Sequence, residues 1–199
     1  MERDFEEIVY SENVIGFAAL ATEYCNLLDG VALLSQKEFV DKSHRLLPLI
    51  YLKAIILPDT EAAMPDMIEK SVTQEEWEAV YETMVKKLQG IDSYQEILDP
   101  LENEDQMASL SEGFADIYQD LKDFVVLYNM GTAEIMNDAI WECKNNFAAY
   151  WGQRLVNLQR VLHHLFYGTM KLNTDDALTD DDFDPEKREK KRREQTGSL

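Results

Sequence analysis

His44, His163 and His164 are the first residues to weigh, because metal and acid–base sites recruit imidazole readily and the chain has only these three. A di-iron helical bundle needs a Glu-x-x-His pair on each of two helices. The nearest match is the single Asp41-x-x-His44, so no bound metal is expected. Carboxylates are abundant instead, 39 in 199 residues. Glu75/Glu78 with Glu96/Asp99 can be set on a magnesium pattern of paired acids, but composition alone supplies roughly seven or eight acid-x-x-acid pairs. Asp99 also precedes Pro100, where helix is disfavoured. A Gly-rich phosphate loop, a Gly-x-Ser-x-Gly elbow and a Cys-x-x-Cys motif are all absent from the sequence. No catalytic residue and no cofactor is therefore assigned.

Two charges depart from pattern. Arg154 falls within about 40° of the centre of an apolar helical stripe, between Trp151 and Leu158, and Glu23 is the only charge in VIGFAALATEYCNLL. Burying either one unpaired costs several kcal/mol, roughly, so each is expected to pair with the other or with nearby polar groups. One reading is a structural ion pair that fixes helix register. The other is that Arg154 lines a cavity and binds a carboxylate or phosphate, helped by Tyr24, Tyr118 or Tyr150.

The elements that must position these residues are helical. Residues 14–28 are apolar nearly all round, as a central helix is, and Asp29-Gly30 ends them with a glycine suited to the left-handed cap. Ser35-Gln36-Lys37-Glu38 is a capping box opening a second helix toward Leu57. Its run LLPLIYLKAIIL is too short to span a membrane and carries Lys53, the pattern of a buried core helix, with a kink or break expected near His44 from Pro48. A loop follows to Ser71. Thr73-Gln74-Glu75-Glu76 caps a third helix with Trp77, Val80, Tyr81, Met84 and Leu88 on one face, closing at Gly90. Residues 91–106 are expected to be irregular. Ser109-Leu110-Ser111-Glu112 caps a fourth helix with Phe114, Ile117, Leu121, Phe124 and Tyr128 inward and Glu112, Asp116, Gln119 and Asp123 toward water. After Gly131, one helix of about 50 Å over 132–167 carries the seam Met136, Ile140, Cys143, Phe147, Trp151, Leu155, Leu158, Leu162 and Leu165.

Bulk numbers agree with that class. Hydrophobic residues at 45%, with 8 Gly and 5 Pro, suit a single helical domain better than a turn-rich β fold. A net charge of −20 disfavours nucleic acid and anionic lipid as partners of the folded body. Cys25 and Cys143 lie far apart in apolar patterns, as reduced, packed thiols do, and the acidic start MERDFEEIVY lacks a signal-peptide core, so a cytoplasmic location is expected. From Thr174 an acidic block runs into the basic run Lys187 to Arg193, with too few apolar residues to offset the entropy of ordering.

Four stretches together resemble a family of bacterial single-domain helical proteins catalogued as a domain of unknown function. They are Ala21-Thr22-Glu23-Tyr24-Cys25; Leu46-Leu47-Pro48-Leu49 with Tyr51; Asp116-Ile117-Tyr118-Gln119-Asp120-Leu121-Lys122; and Trp141-Glu142 with Phe147, Trp151-Gly152, Leu155, Leu162 and His163. The resemblance spans roughly residues 5–167 and implies an all-α domain with no established activity. It points to Glu23, Tyr24, Asp120, Lys122, Trp151 and His163 as the family's polar and aromatic positions. Gln153-Arg154 stands where a histidine would be expected, which counts against proton chemistry by a histidine there.

The expectation is an all-α bundle of about five principal helices over residues 1–173, followed by a disordered charged tail over 174–199. Its favoured role is a protein-interaction or adaptor module, with no nucleic-acid or membrane partner, because helices are well formed and no reactive constellation is present. The alternative is a small-molecule binder or enzyme built on Glu23, Tyr24, Tyr118, Asp120, Lys122, Trp151, Arg154 and His163. A closed pocket at Arg154 would favour the second reading and an exposed apolar patch the first.

Overall fold

A computed structural model describes residues 5–64, 70–99 and 104–174. The helices are α1 (Phe5–Val9), α2 (Glu12–Asp29), α3 (Gln36–Ile55), α4 (Gln74–Lys87), α5 (Leu110–Asn129), α6 (Ala133–Asn146) and α7 (Gly152–Tyr167). The all-α class holds, with a five-helix body in which α6 and α7 act as one broken rod. The expected tail lies, beyond Thr174, outside the described residues. Among the described residues no helix is long and apolar enough to cross a membrane.

Local chemistry explains the helix starts. At Ser35 and Thr73 the hydroxyl accepts from the N–H three residues on while the glutamate there, Glu38 or Glu76, accepts from the cap N–H, a complete capping box in each case. Ser109 makes half of one: its hydroxyl accepts from the Glu112 N–H and donates to Asp92 instead of completing a box with Glu112. Gly90 and Gly131 take φ of 87° and 89°, the left-handed region that favours glycine. Gly30 does not; its φ of −97° lets it cap α2 through an N–H to the Asn26 carbonyl without that conformation.

The core gathers on α5, which buries twelve of its twenty residues and packs against α2, α4, α6 and α7. Phe17 meets Phe124 edge-on at 4.9 Å and stacks near Trp151, while Phe39 meets Phe114 at 5.0 Å. Each such ring stabilises the fold by about 1.5 to 3 kcal/mol on full burial. The spine is thus α5.

Four expectations need correction. The rod over 132–167 is interrupted by a π turn at Phe147–Trp151, closed by the Gly152 N–H bonding to the Phe147 carbonyl. Residues 91–106 are not irregular: β1 (Ser93–Asp99) and β2 (Glu104–Ser109) pair antiparallel, with Tyr94 opposite Ala108 and Glu96 opposite Gln106. Asp116 and Asp123 do not face water but are buried. Pro48 does not break α3; the His44 carbonyl, whose helical donor Pro48 removes, accepts from Gln159 Nε2 of α7 at 3.3 Å.

The loop after α3 is pinned by that unexpected buried polarity. Asp138 on α6 accepts from the N–H groups of Ala63 and Met64, and Asp123 on α5 from those of Ser71 and Val72, at 2.6 to 2.8 Å. Burial of a loop backbone is tolerable only where such partners exist.

Candidate functional site

Arg154 lies on the first turn of α7, directly after the π turn, and its Nε stands 3.1 Å from Asp116 Oδ2 on α5. The same carboxylate accepts from the Tyr150 hydroxyl at 2.7 Å and the Trp77 indole at 3.1 Å. The Arg154 guanidinium also stacks over the Tyr150 ring, 4.6 Å from its centroid. Burial opposes the Arg154 charge, but Asp116, Tyr150, Glu112 and Glu96 more than offset it and hold the guanidinium's pKa above its ordinary value. Burial and the hydrogen bond to Asp116 push Tyr150 up to about 12, so it stays a neutral donor. Three donors from three elements therefore satisfy one carboxylate, and the cluster closes on itself.

A second buried acid, Glu96 of β1, continues the seam. It accepts from Asn157 at 2.9 Å, Gln106 at 3.0 Å and the Tyr94 hydroxyl at 3.3 Å. Burial alone would raise its pKa, yet these donors and Arg154 hold it below the ordinary carboxylate range. Asp116 and Asn157 were not among the site residues drawn from the sequence, and Glu96 entered there only in the paired-acid magnesium pattern. Burial alternates along Ser93-Tyr94-Gln95-Glu96, but at Glu96 it leaves no hydropathy signal because the buried residue is a glutamate.

The sequence-derived candidates do not gather into one cluster, although Tyr118 and Lys122 meet on Asp29. Glu23 is exposed and unconnected to Arg154; it lines an open groove of about 360 Å³ with Ala18, Thr22, Val125 and Tyr128. Tyr24 is buried and donates to the Phe114 carbonyl at 2.9 Å. Tyr118 donates to Asp29 at 2.7 Å, and Lys122 pairs with the same carboxylate at 3.2 Å, linking α5 to the end of α2. The Trp151 indole, fully buried, donates to the Cys143 carbonyl. His163 is exposed and sits against His44 and Tyr167 at centroid distances of 5.7 and 4.7 Å.

Asp120 is the outlier among the described carboxylates. Burial raises its pKa to about 6, against an opposing hydrogen bond from Asn146 and the Lys70 charge, with Asp123 and Glu142 adding to the rise. Lys70 bridges Glu142 at 3.1 Å and Asp123 at 3.7 Å. Among the described residues no group of three His, Cys, Asp or Glu side chains is placed to hold a metal ion.

The outer face of α3 is apolar and exposed. The run LLPLIYLKAIIL is not wholly buried: Leu46, Leu47, Ile50 and Ala54 face the core, while Leu49, Leu52, Ile55 and the cap residue Ile56 are between 42% and 57% exposed. Four large aliphatic side chains on two adjoining turns form a ridge with no intramolecular reason to be apolar. Sequence patterning missed it because a helix apolar on both faces resembles a buried one.

A family model described as a domain of unknown function, DUF5063, matches residues 8–168. The crystal structure of protein BF1032 from Bacteroides fragilis is similar, at 37% identity and a TM-score of 0.73, over 82% of this chain and 98% of that one. A comparison with curated proteins finds no match.

Proposed function

The chain belongs to the DUF5063 family, and on that footing we propose that it is a protein-interaction module that docks a partner through the outer face of α3. The observation that carries the reading is the ridge of Leu49, Leu52, Ile55 and Ile56, half-exposed on a helix whose opposite side already fills the core. Apolar burial drives most association, and a contiguous aliphatic strip costs solubility unless something covers it. The Arg154 cluster supports the same choice, because its carboxylate is already paired by three protein donors and the groove found on the surface is lined by other residues. We place the work in the cytoplasm: Cys25 and Cys143 are both buried as free thiols, which suits a reducing compartment.

The test is side-by-side affinity purification, from the native host, of the wild type, Leu52→Glu and Arg154→Met, with melting curves for all three. The expected result is a protein retained by the wild type and by Arg154→Met but lost with Leu52→Glu, whose fold should be intact because Leu52 is more than half exposed. Identical retention by Leu52→Glu and wild type overturns the reading.

A further inference from the structure

Independently of the ridge on α3, we infer that the outer face of α4 holds this chain's own basic run, Lys187 to Arg193, with the sequence beyond Thr174 lying back along that helix, antiparallel to it. The place where the chain leaves the described body is the first ground. The Gln36 amide nitrogen donates to the Lys87 and Gln89 carbonyls at 3.1 and 3.2 Å, and its oxygen accepts from the Asn173 N–H at 3.2 Å. The Asn173 carbonyl in turn accepts from the Lys37 N–H at 3.1 Å. Gln36 is only 3% exposed, so one buried side chain ties the departing chain to the C-terminal end of α4.

The order of charge is the second ground. α4 turns Met84 into the core and leaves Glu75, Glu78 and Glu82 exposed, with Lys86 half-buried. At 100° per residue these four fall within about 80° of one another, on one stripe. Taken from the end where the chain departs, the stripe is a cation followed by three carboxylates, and Lys37 stands exposed beside the same exit. The departing sequence has the opposite order. Asp175 to Glu186 carries seven carboxylates and no cation, whereas Lys187 to Arg193 carries six cations and one carboxylate. Each block meets its opposite when the segment runs from the C-terminal end of α4 toward its N-terminus. Reach agrees. Thr174 to Lys187 spans about 20 Å as a flexible chain and at most about 43 Å extended, while Glu75 and Lys86 lie about 16 Å apart along the helix. A tether whose mean span matches the distance holds its end at an effective concentration on the order of 1 mM, so exposed pairs that are weak singly suffice together. Such pairing asks for no apolar burial, which this composition does not supply.

The experiment attaches a nitroxide to the full chain at Ser198→Cys, where labelling is selective because Cys25 and Cys143 are buried, and reads paramagnetic broadening of the backbone amide signals. Amides of residues 75–82 should lose roughly half their intensity at low salt, those on the outer face of α3 far less, and the loss should vanish at about 0.5 M sodium chloride. Glu75→Lys with Glu78→Lys and Glu82→Lys should abolish it. Lys190→Glu with Lys191→Glu and Arg192→Glu should do the same without altering any described element, which keeps the test sound if the first variant melts low. Combining the two sets should restore the broadening. Broadening spread evenly over the acidic surface, or unchanged by either set, overturns the assignment. Broadening of isotope-labelled chains without a nitroxide, when mixed with nitroxide-bearing ones, would place the contact between copies and overturns the own-chain reading. None of these outcomes involves Leu52, so the docking role of α3 stands or falls separately.

Discussion

At the scale of single residues, the pairing of Arg154 with Asp116 decides what the buried arginine is for. Arg154→Met leaves a nearly buried carboxylate with two neutral donors, whereas Asp116→Asn removes the charge and keeps an acceptor for Trp77 and Tyr150. With part of the guanidinium still in water, a urea double-mutant cycle between the two changes should give a coupling of about 1 to 2 kcal/mol. Glu23→Gln, the pairing suggested by sequence alone, should show none, because Glu23 is exposed on another face. Asp120 gives a second test, with a definite sign. Its folded pKa of about 6 lies above the ordinary carboxylate value, so the folded state holds the proton more tightly and Asp120 subtracts stability as pH rises from about 4 to about 6. Asp120→Asn, which can still accept from Asn146, should match the wild type near pH 4 and exceed it at pH 7 by roughly 1 to 3 kcal/mol, read from urea midpoints. The sequence showed that Arg154 was anomalous, since a charge in an apolar stripe is visible by spacing. It could not show the partner, because Asp116 falls on the polar side of its own helix and only the arrival of α4 and α7 there buries it.

At the scale of elements, the legible features were those written in local chemistry: the capping boxes at Ser35 and Thr73, the close of α4 before Gly90, the break at Gly131, and the inward stripe of α5. The π turn was written too, in a form that hydrophobicity alone obscures. Cys143, Phe147, Trp151 and Leu155 follow at three successive intervals of four, which on a regular helix would rotate the stripe by about 120°. A wider turn absorbs that drift and keeps all four packed inward or against the core. Gly152 makes the turn possible: a Cβ there would lie 2.5 Å from the Phe147 carbonyl oxygen and 2.9 Å from its ring. Gly152→Ala should therefore destabilise the fold by about 1 to 3 kcal/mol despite alanine's better helix propensity, seen as a lower urea midpoint with unchanged m-value. A stabilising outcome would mean that a regular α-helix can replace the π turn at no cost. The hairpin was illegible for the opposite reason: the buried position of β1 is Glu96, so its burial has no counterpart in hydropathy, and β2 is largely exposed.

At the scale of the molecule, charge sets a global term against the local ones. Up to residue 174 there are 30 acidic and 13 basic side chains, so most carboxylates have no cation to meet and repel one another across the surface. Opposing this are a few exposed pairs, Arg45 with Asp41, Lys122 with Asp29 and Lys144 with Asp59, each worth about 1 kcal/mol or less. Salt screens both, but unequally. The pairs are short-ranged, whereas the repulsion sums over many separations longer than the Debye length of about 8 Å reached at physiological ionic strength. Screening should therefore remove more repulsion than attraction. Raising sodium chloride from about 0.01 to about 0.15 M at pH 7 should lift the melting temperature by a few degrees, the equivalent of roughly 1 kcal/mol for a chain of this size. A fall would show that the ion pairs outweigh the net charge.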